Sequence, residues 1–418
     1  MKNNINIFLE QPRRGNTHEV QLTPYKRRRS AVWGRMRRQE RSRHLTPYKR
    51  RRSAVWGILP ISISIITLVF LCTACRERID PPTPLNIEIP KGFPTLLNIP
   101  ADNPMTEEGV ELGRLLFHDP HLCGYTGTDP DSLMSCTTCH RPEHNYDLGP
   151  DHPRFPDGKP RGRTTGKATI HNVMPLVNLV FNHEGYLWNG LVSNDNPNAG
   201  QRTIEDIVLM AIIADDEMCA TEASAVAAIK ADSKYPPLFK KAFGTEEITM
   251  ERIQMAIAQY VRSLVRANSK FDRYLQGKEQ LTPQELHGYV LFTTEEGADC
   301  FHCHGSSGSP LFTTNLFYNN GLDAQPTDAH DRASVTGDPH DRGAYRAPSL
   351  RNVAVSAPYM HDGRFQTLDE VLEFYNTEVQ NSPYISPLMH HVNDGGVHLT
   401  PNDIADLKAF LETLTEDE

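Results

Sequence analysis

Apolar residues along this chain recur mostly at helical spacing. Beyond Thr106, Leu112, Leu115 and Leu116 fall on one face and predict a helix that stops near the proline of His118-Asp119-Pro120. Ile253, Ala256, Ile257, Tyr260, Val261 and Leu264 form a longer stripe of the same period. Thr282, Pro283 and Glu285 give an N-cap, a proline in the first turn and a capping-box glutamate, with Leu286, Tyr289 and Val290 following on one face. Thr367 and Glu370 make another capping box, and Thr400-Pro401 opens a last helix carrying Ile404, Leu407, Leu411 and Leu414. The stretch 141–200, rich in Gly, Pro, Asn and His, reads as loop rather than sheet, and 76–105 as an extended lead-in. The expected class is mainly α with long irregular loops.

The chemistry lies in two five-residue stretches 164 positions apart, Cys136-Thr-Thr-Cys139-His140 and Cys300-Phe-His-Cys303-His304. Two thiols three apart on a helical turn can add to the two vinyl groups of one haem while the next histidine binds its iron, so each stretch is a complete c-type attachment site. A zinc cage is the alternative use of paired Cys-x-x-Cys, but it leaves the histidine after both pairs unexplained. At 418 residues the chain holds two ordinary domains, and one haem each is the simplest division: 76–270 and 271–418, two cytochrome c-type domains. The helices before the two motifs then read as equivalents in a weak internal repeat. His302, between the second pair of cysteines, is read as a loop residue without a role.

The charge alters the picture of what works and where. The net charge is −9, yet residues 1–74 carry 16 Lys and Arg against 3 Asp and Glu, leaving 27 against 49, or −22, for 75–418. Residues 22–34 and 45–57 are identical in sequence, and 1–57 reads as a basic duplicated leader outside the mature protein. Arg50, Arg51 and Arg52 precede the apolar run 58–71, short for a membrane span and sized for an export signal. Cys75 follows small residues as in a bacterial lipoprotein cleavage site, so 58–75 is read as a signal segment with Cys75 as a lipid anchor; ordinary secretion is the alternative. An exported location, the periplasm, suits haem c assembly and thiol oxidation; Cys123 and Cys219 fit either a disulfide or free thiols. The acidic remainder disfavours nucleic acid and favours a basic or positively patched electron-donor protein.

From about residue 95 on, the sequence resembles the bacterial dihaem cytochrome c peroxidase superfamily, including its MauG-type enzymes. The likeness rests on the two haem motifs in this order, Leu187-Trp188-Asn189-Gly190, Glu217-Met218, residues 269–274, and 347–352 running into 357–363. The resemblance implies an exported peroxidase in which hydrogen peroxide reacts at the His140 haem. Glu217 would be the acid/base, Trp188 a bridge between the haems, and the His304 haem the entry point for electrons. It also implies one calcium ion held by Asn172, Ser356 and Pro358. Two departures stand out. The stretch 161–167 lacks the distal histidine of many members, His171 and His183 being out of register, and the position of a common distal glutamine falls on Ile207. Fourteen residues after His361, where those members have an axial methionine, stands Tyr375, as in the MauG-type subgroup; Met360 or Met389 is the alternative ligand of the second iron. The functional alternatives are a MauG-like oxidase acting on a partner protein and a plain electron-transfer cytochrome. A homodimer is left open.

Overall fold

In the computed structural model, residues 80–193, 203–306 and 308–416 are described. The leader, the export segment, Cys72 and Cys75 lie outside them. Residues from Glu77 onward make one compact unit, mainly helical, whose single two-stranded ladder pairs β1 (Phe317–Tyr318) antiparallel with β2 (Tyr345–Arg346). Among the described residues no helix is long and apolar enough to cross a membrane.

Two apolar clusters organise the unit. The larger is built on α1 (Glu107–His118), α2 (Ile204–Ile213), α3 (Glu222–Ala231), α4 (Tyr235–Phe243) and α5 (Met250–Ser263). Thr106 caps α1 by accepting the Gly109 N–H, and the helix stops where Pro120 ends it, as its pattern predicts. The stripe on α5 buries Ile253, Ala256, Ile257, Tyr260 and Val261 against α1. Gln259 and Arg262 of the same helix are also buried, and both are satisfied. Gln259 exchanges hydrogen bonds with Asn103 and Thr106, while Arg262 forks onto Glu205 at 2.6 and 2.8 Å.

The second cluster involves α6 (Lys270–Leu275), α7 (Pro283–Phe292), α8 (Phe301–His304), α10 (Leu368–Glu373) and α11 (Pro401–Glu412), with a short α9 (Arg332–Thr336) in the loops between. Here α7 crosses α11 as α1 crosses α5. Both crossings run through a glycine. A Cβ on Gly113 would overlap the carbonyl oxygen of Ala256 and press on Tyr260, and one on Gly288 would do the same to Asp406 and Phe410. Only hydrogen fits between the backbones, so the repeat suggested by a few apolar positions is carried by these two contacts.

Two features differ from the sequence reading, and a third decides between alternatives it left open. His302 sits on the helical turn α8 and not in a loop, because the attachment motif itself winds as helix. The helix opened by Thr367 is α-helical only to Glu373 and widens into a π turn over Phe374–Glu378, yet Tyr375 still shares a cavity wall with Leu368, Val371 and Leu372. Cys123 and Cys219 are both free thiols: Cys123 is buried and donates to the Pro120 carbonyl, whereas Cys219 is turned to the Asp215 carbonyl.

Candidate functional site

The first motif winds as a 3-10 turn over Cys136–Thr138, continued by a 2.9 Å bond from the His140 N–H to the Cys136 carbonyl. His140 Nδ1 lies 2.8 Å from the Tyr146 carbonyl. A carbonyl only accepts, so Nδ1 carries the proton and the Nε2 lone pair is left for a metal. Burial lowers the imidazole to about 4, which keeps it in the neutral, ligating form at neutral pH. The second motif repeats this, His304 Nδ1 facing the Phe312 carbonyl at 3.3 Å and burial again lowering the ring to about 4. Burial pushes all four motif thiols up to about 12, so they are protonated. Among the described residues neither cysteine pair belongs to a cluster of three or more metal-ligating side chains.

Glu217 lies on the loop after α2. The acidic run that contains it divides: Asp215 points to solvent and pairs with Lys167 at 2.9 Å, while Glu217 turns inward. It comes close enough to Cys136 and Cys139 for its charge to help keep both thiols protonated, which sets it beside the first attachment site. Burial, with the neighbouring Asp216 charge, raises its carboxyl to about 7. The stretch without a histidine, 161–167, packs on this loop. Arg163 donates its backbone N–H to the Glu217 carbonyl and its Nε to the Met218 carbonyl, and Thr165 bonds the Asp215 carbonyl. His171 is held elsewhere by Asp328 at 2.8 Å, and His183 reaches the Leu96 carbonyl at the surface. Ile207 packs into the first apolar cluster.

The second motif opens onto a cavity of about 230 Å³ whose wall includes Cys300, Cys303 and His304. Tyr375, Met360 and Met389, the three candidate axial ligands, all line it. The Tyr375 hydroxyl accepts from Asn320 Nδ2 at 2.9 Å, and burial holds its phenol protonated, well above the usual range. Trp188, 8% exposed, is on the same wall, its indole N–H bonded to the Asn172 carbonyl and its own carbonyl to the Arg346 N–H. The calcium candidates also converge. Asn172 Nδ2 is 2.6 Å from the Pro358 carbonyl, and Asn172 Oδ1 is buried with no hydrogen-bond partner. Ser356 lies on the cavity wall beside Pro358.

Two buried residues escaped the sequence reading. Arg346 lines the cavity with its guanidinium on the Leu187 carbonyl, Asn315 and the Met174 sulfur; burial lowers it to about 10. A buried cation supplied only with neutral partners fits a cofactor that brings carboxylates, as haem does. Asp147, 3% exposed on the same wall, is raised well above the carboxylate range by burial. The one signal in sequence was that Arg346 directly precedes the 347–352 motif.

A family model for di-haem cytochrome c peroxidase matches residues 107–280. The methylamine utilization protein MauG of Methylophilus methylotrophus is 30% identical over 324 residues, 77% of this chain and 86% of that protein. The chain belongs to the dihaem cytochrome c peroxidase and MauG family. Another member of the family, the cytochrome c551 peroxidase of Nitrosomonas europaea, is 28% identical over 77% of this chain and 84% of its own length. The crystal structure of a MauG-like protein associated with microbial copper homeostasis superposes with a TM-score of 0.67 at 34% identity, covering 80% of this chain and 96% of that one. The chain is thus a peroxidase-family oxidoreductase with haem as its cofactor, in a family holding both peroxidases and MauG proteins.

Proposed function

We propose that this dihaem family member is an exported cytochrome c peroxidase, reducing hydrogen peroxide to water beside His140 with electrons that enter at the His304 site. Glu217 carries the reading: a carboxyl turned inward at the first attachment site and poised near 7 can both take and return a proton at neutral pH. A haem c held by histidine supplies an iron that binds peroxide and exchanges electrons. In the overall reaction, one peroxide, two electrons and two protons give two waters. As carboxylate, Glu217 takes the proton from the oxygen being held, and as acid it delivers one to the oxygen that leaves. His140 and His304 are fixed in the ligating tautomer by Tyr146 and Phe312, and Trp188 is the aromatic step between the sites.

The rest of the proposal follows the chain. Cys136 and Cys139, and Cys300 and Cys303, attach one haem each as thioethers, in an N-terminal peroxidatic domain over 76–270 and an electron-transfer domain over 271–418. The leader and the 58–75 signal are removed, with Cys75 lipidated in the periplasm, and the acidic mature chain takes electrons from a small basic protein. Steady-state turnover with peroxide and a reduced basic cytochrome is the test, with two donors oxidised per peroxide expected. Haem-loaded protein that consumes no donor would sink it.

A MauG-like oxidase of a partner protein is the second reading, favoured by Tyr375 in the cavity beside His304 and by a Glu217 loop packed on a stretch, 161–167, without a distal histidine. It is the better reading if peroxide-treated enzyme keeps oxidising equivalents that small donors do not discharge. Tyr375→Met should alter the low-spin absorption spectrum if the phenol is the axial ligand. An unaltered spectrum assigns that position to Met360 or Met389.

A calcium ion would be held by Asn172 Oδ1 and the Ser356 and Pro358 carbonyls, oxygens that suit a hard cation, once the amide whose Nδ2 donates to the Pro358 carbonyl turns its unpartnered Oδ1 that way. Millimolar calcium should then raise the melting temperature by several degrees over chelator, corresponding to about 2.7 kcal/mol at a hundredfold excess over Kd. In Asn172→Ala the difference should vanish; a wild type indifferent to calcium would exclude the site.

A further inference from the structure

We propose that Asp299, His302 and His390 form a binding site for a divalent transition-metal ion at the rim of the second haem-attachment site. Their ligating atoms all lie within 4.8 Å of one another. His302 Nδ1 is 2.6 Å from one Asp299 oxygen, and His390 Nδ1 is 3.1 Å from the other. One carboxylate therefore faces two imidazoles that come from segments almost ninety residues apart.

The arrangement is independent of the peroxidase reading and shares only part of the cavity wall: Asp299 and His390 line it and His302 does not. Cys300, Cys303 and His304 line the cavity, whereas His302 is not part of its wall. On the four-residue turn α8, His302 and Phe301 are thus the two members off the cavity wall. Asp299 and His390 stand on the rim and belong to both sides. A gradient of exposure leads inward to the carboxylate: the side chain of His390 is 42% exposed, that of His302 20%, and that of Asp299 7%. An ion can reach the cluster from solvent and keep water in its remaining positions.

A second carboxylate stands nearby. Glu295 Oε1, on an exposed side chain, is 3.8 Å from His302 Nε2, which adds negative charge near the cluster without a hydrogen bond. The Glu295 carbonyl in turn bonds His391 Nε2 at 3.0 Å, which fixes the segment carrying His390. Bonds of roughly 2.0–2.2 Å place neighbouring tetrahedral ligands about 3.4 Å apart. To admit an ion the 3.1 Å contact to His390 opens by about 0.3 Å and the 2.6 Å contact to His302 by about 0.8 Å, within reach of side-chain rotation. Two nitrogens and one oxygen are a poor set for calcium or magnesium, which take oxygen, and a good one for Zn(II) and better for Cu(II). Bound there, the ion would tie the Met389–His391 segment, whose Met389 lines the cavity, to the turn that carries the haem.

The test uses haem-loaded protein, stripped with EDTA and returned to calcium-containing buffer. Zinc chloride titrated in a calorimeter should give one saturable site per chain. Copper sulfate should give an EPR spectrum with nitrogen splitting from two imidazoles. His390→Gln, at an exposed position away from the attachment residues, should weaken zinc at least tenfold with haem content and circular dichroism unchanged. His302→Gln should do the same where it loads haem. No saturable zinc binding, or an affinity that His390→Gln leaves within twofold of wild type, overturns the proposal.

Discussion

Glu217→Gln is expected to slow peroxide cleavage by roughly two or more powers of ten, the contribution of a positioned acid/base. The pH profile adds a check that a packing role would not produce. Since the carboxyl is raised to about 7, its proton-accepting form grows as pH rises through 7, and the wild-type rate should climb over that range while the variant stays flat. Stability should move the other way. A carboxyl protonated in the fold and ionised when unfolded contributes least above its folded pKa, so stability falls as pH rises from the unfolded value near 4.5 through 7. The cost reaches at most about 3 kcal/mol, and Gln removes it. Glu217→Gln should therefore be slower yet no less stable than wild type at pH 8, by stopped-flow and urea titration. A variant that keeps the wild-type rate would remove Glu217 from the chemistry.

Arg351→Ala should produce the largest loss of stability, about 3–5 kcal/mol, because it leaves a buried carboxylate without its cation. Arg351 is 2% exposed and forks onto both oxygens of Asp272 at 2.7 Å, while its Nε reaches the Pro310 carbonyl and its plane lies 4.8 Å from the Phe93 ring. Asp272 also caps α6 through Ser269, so the same carboxylate holds a helix start. Despite burial, which acts to raise it, the Arg351 bonds hold Asp272 below the usual range. Its contribution is present above pH about 4 and lost as pH falls through the folded value. Arg351→Ala should accordingly flatten the acid limb of the stability curve. A urea-measured loss under 1 kcal/mol would mean the pair is dispensable.

What could be read from the sequence was local or covalent. Stripes such as Ile253 to Val261, the helix starts at Thr282, Thr367 and Thr400, and the two attachment motifs depend on residues within a few positions of each other, and all are present. The inward turn of Glu217 against the outward turn of Asp215 was not legible, since it depends on how 161–167 packs on that loop. Gly113 and Gly288 looked like ordinary helix residues because their partners are over a hundred positions away. Arg346 and Asp147 are defined by a cavity that no short window contains. The π turn over Phe374–Glu378 departs from the regular period on which a helical face is counted.

The matched glycines at the two helix crossings limit what can stand there. At each, main chain lies against main chain through a residue with no side chain, and even one methyl group would overlap a carbonyl oxygen of the facing helix. A chain that varies the side chains around its two attachment motifs has to keep both of these positions bare.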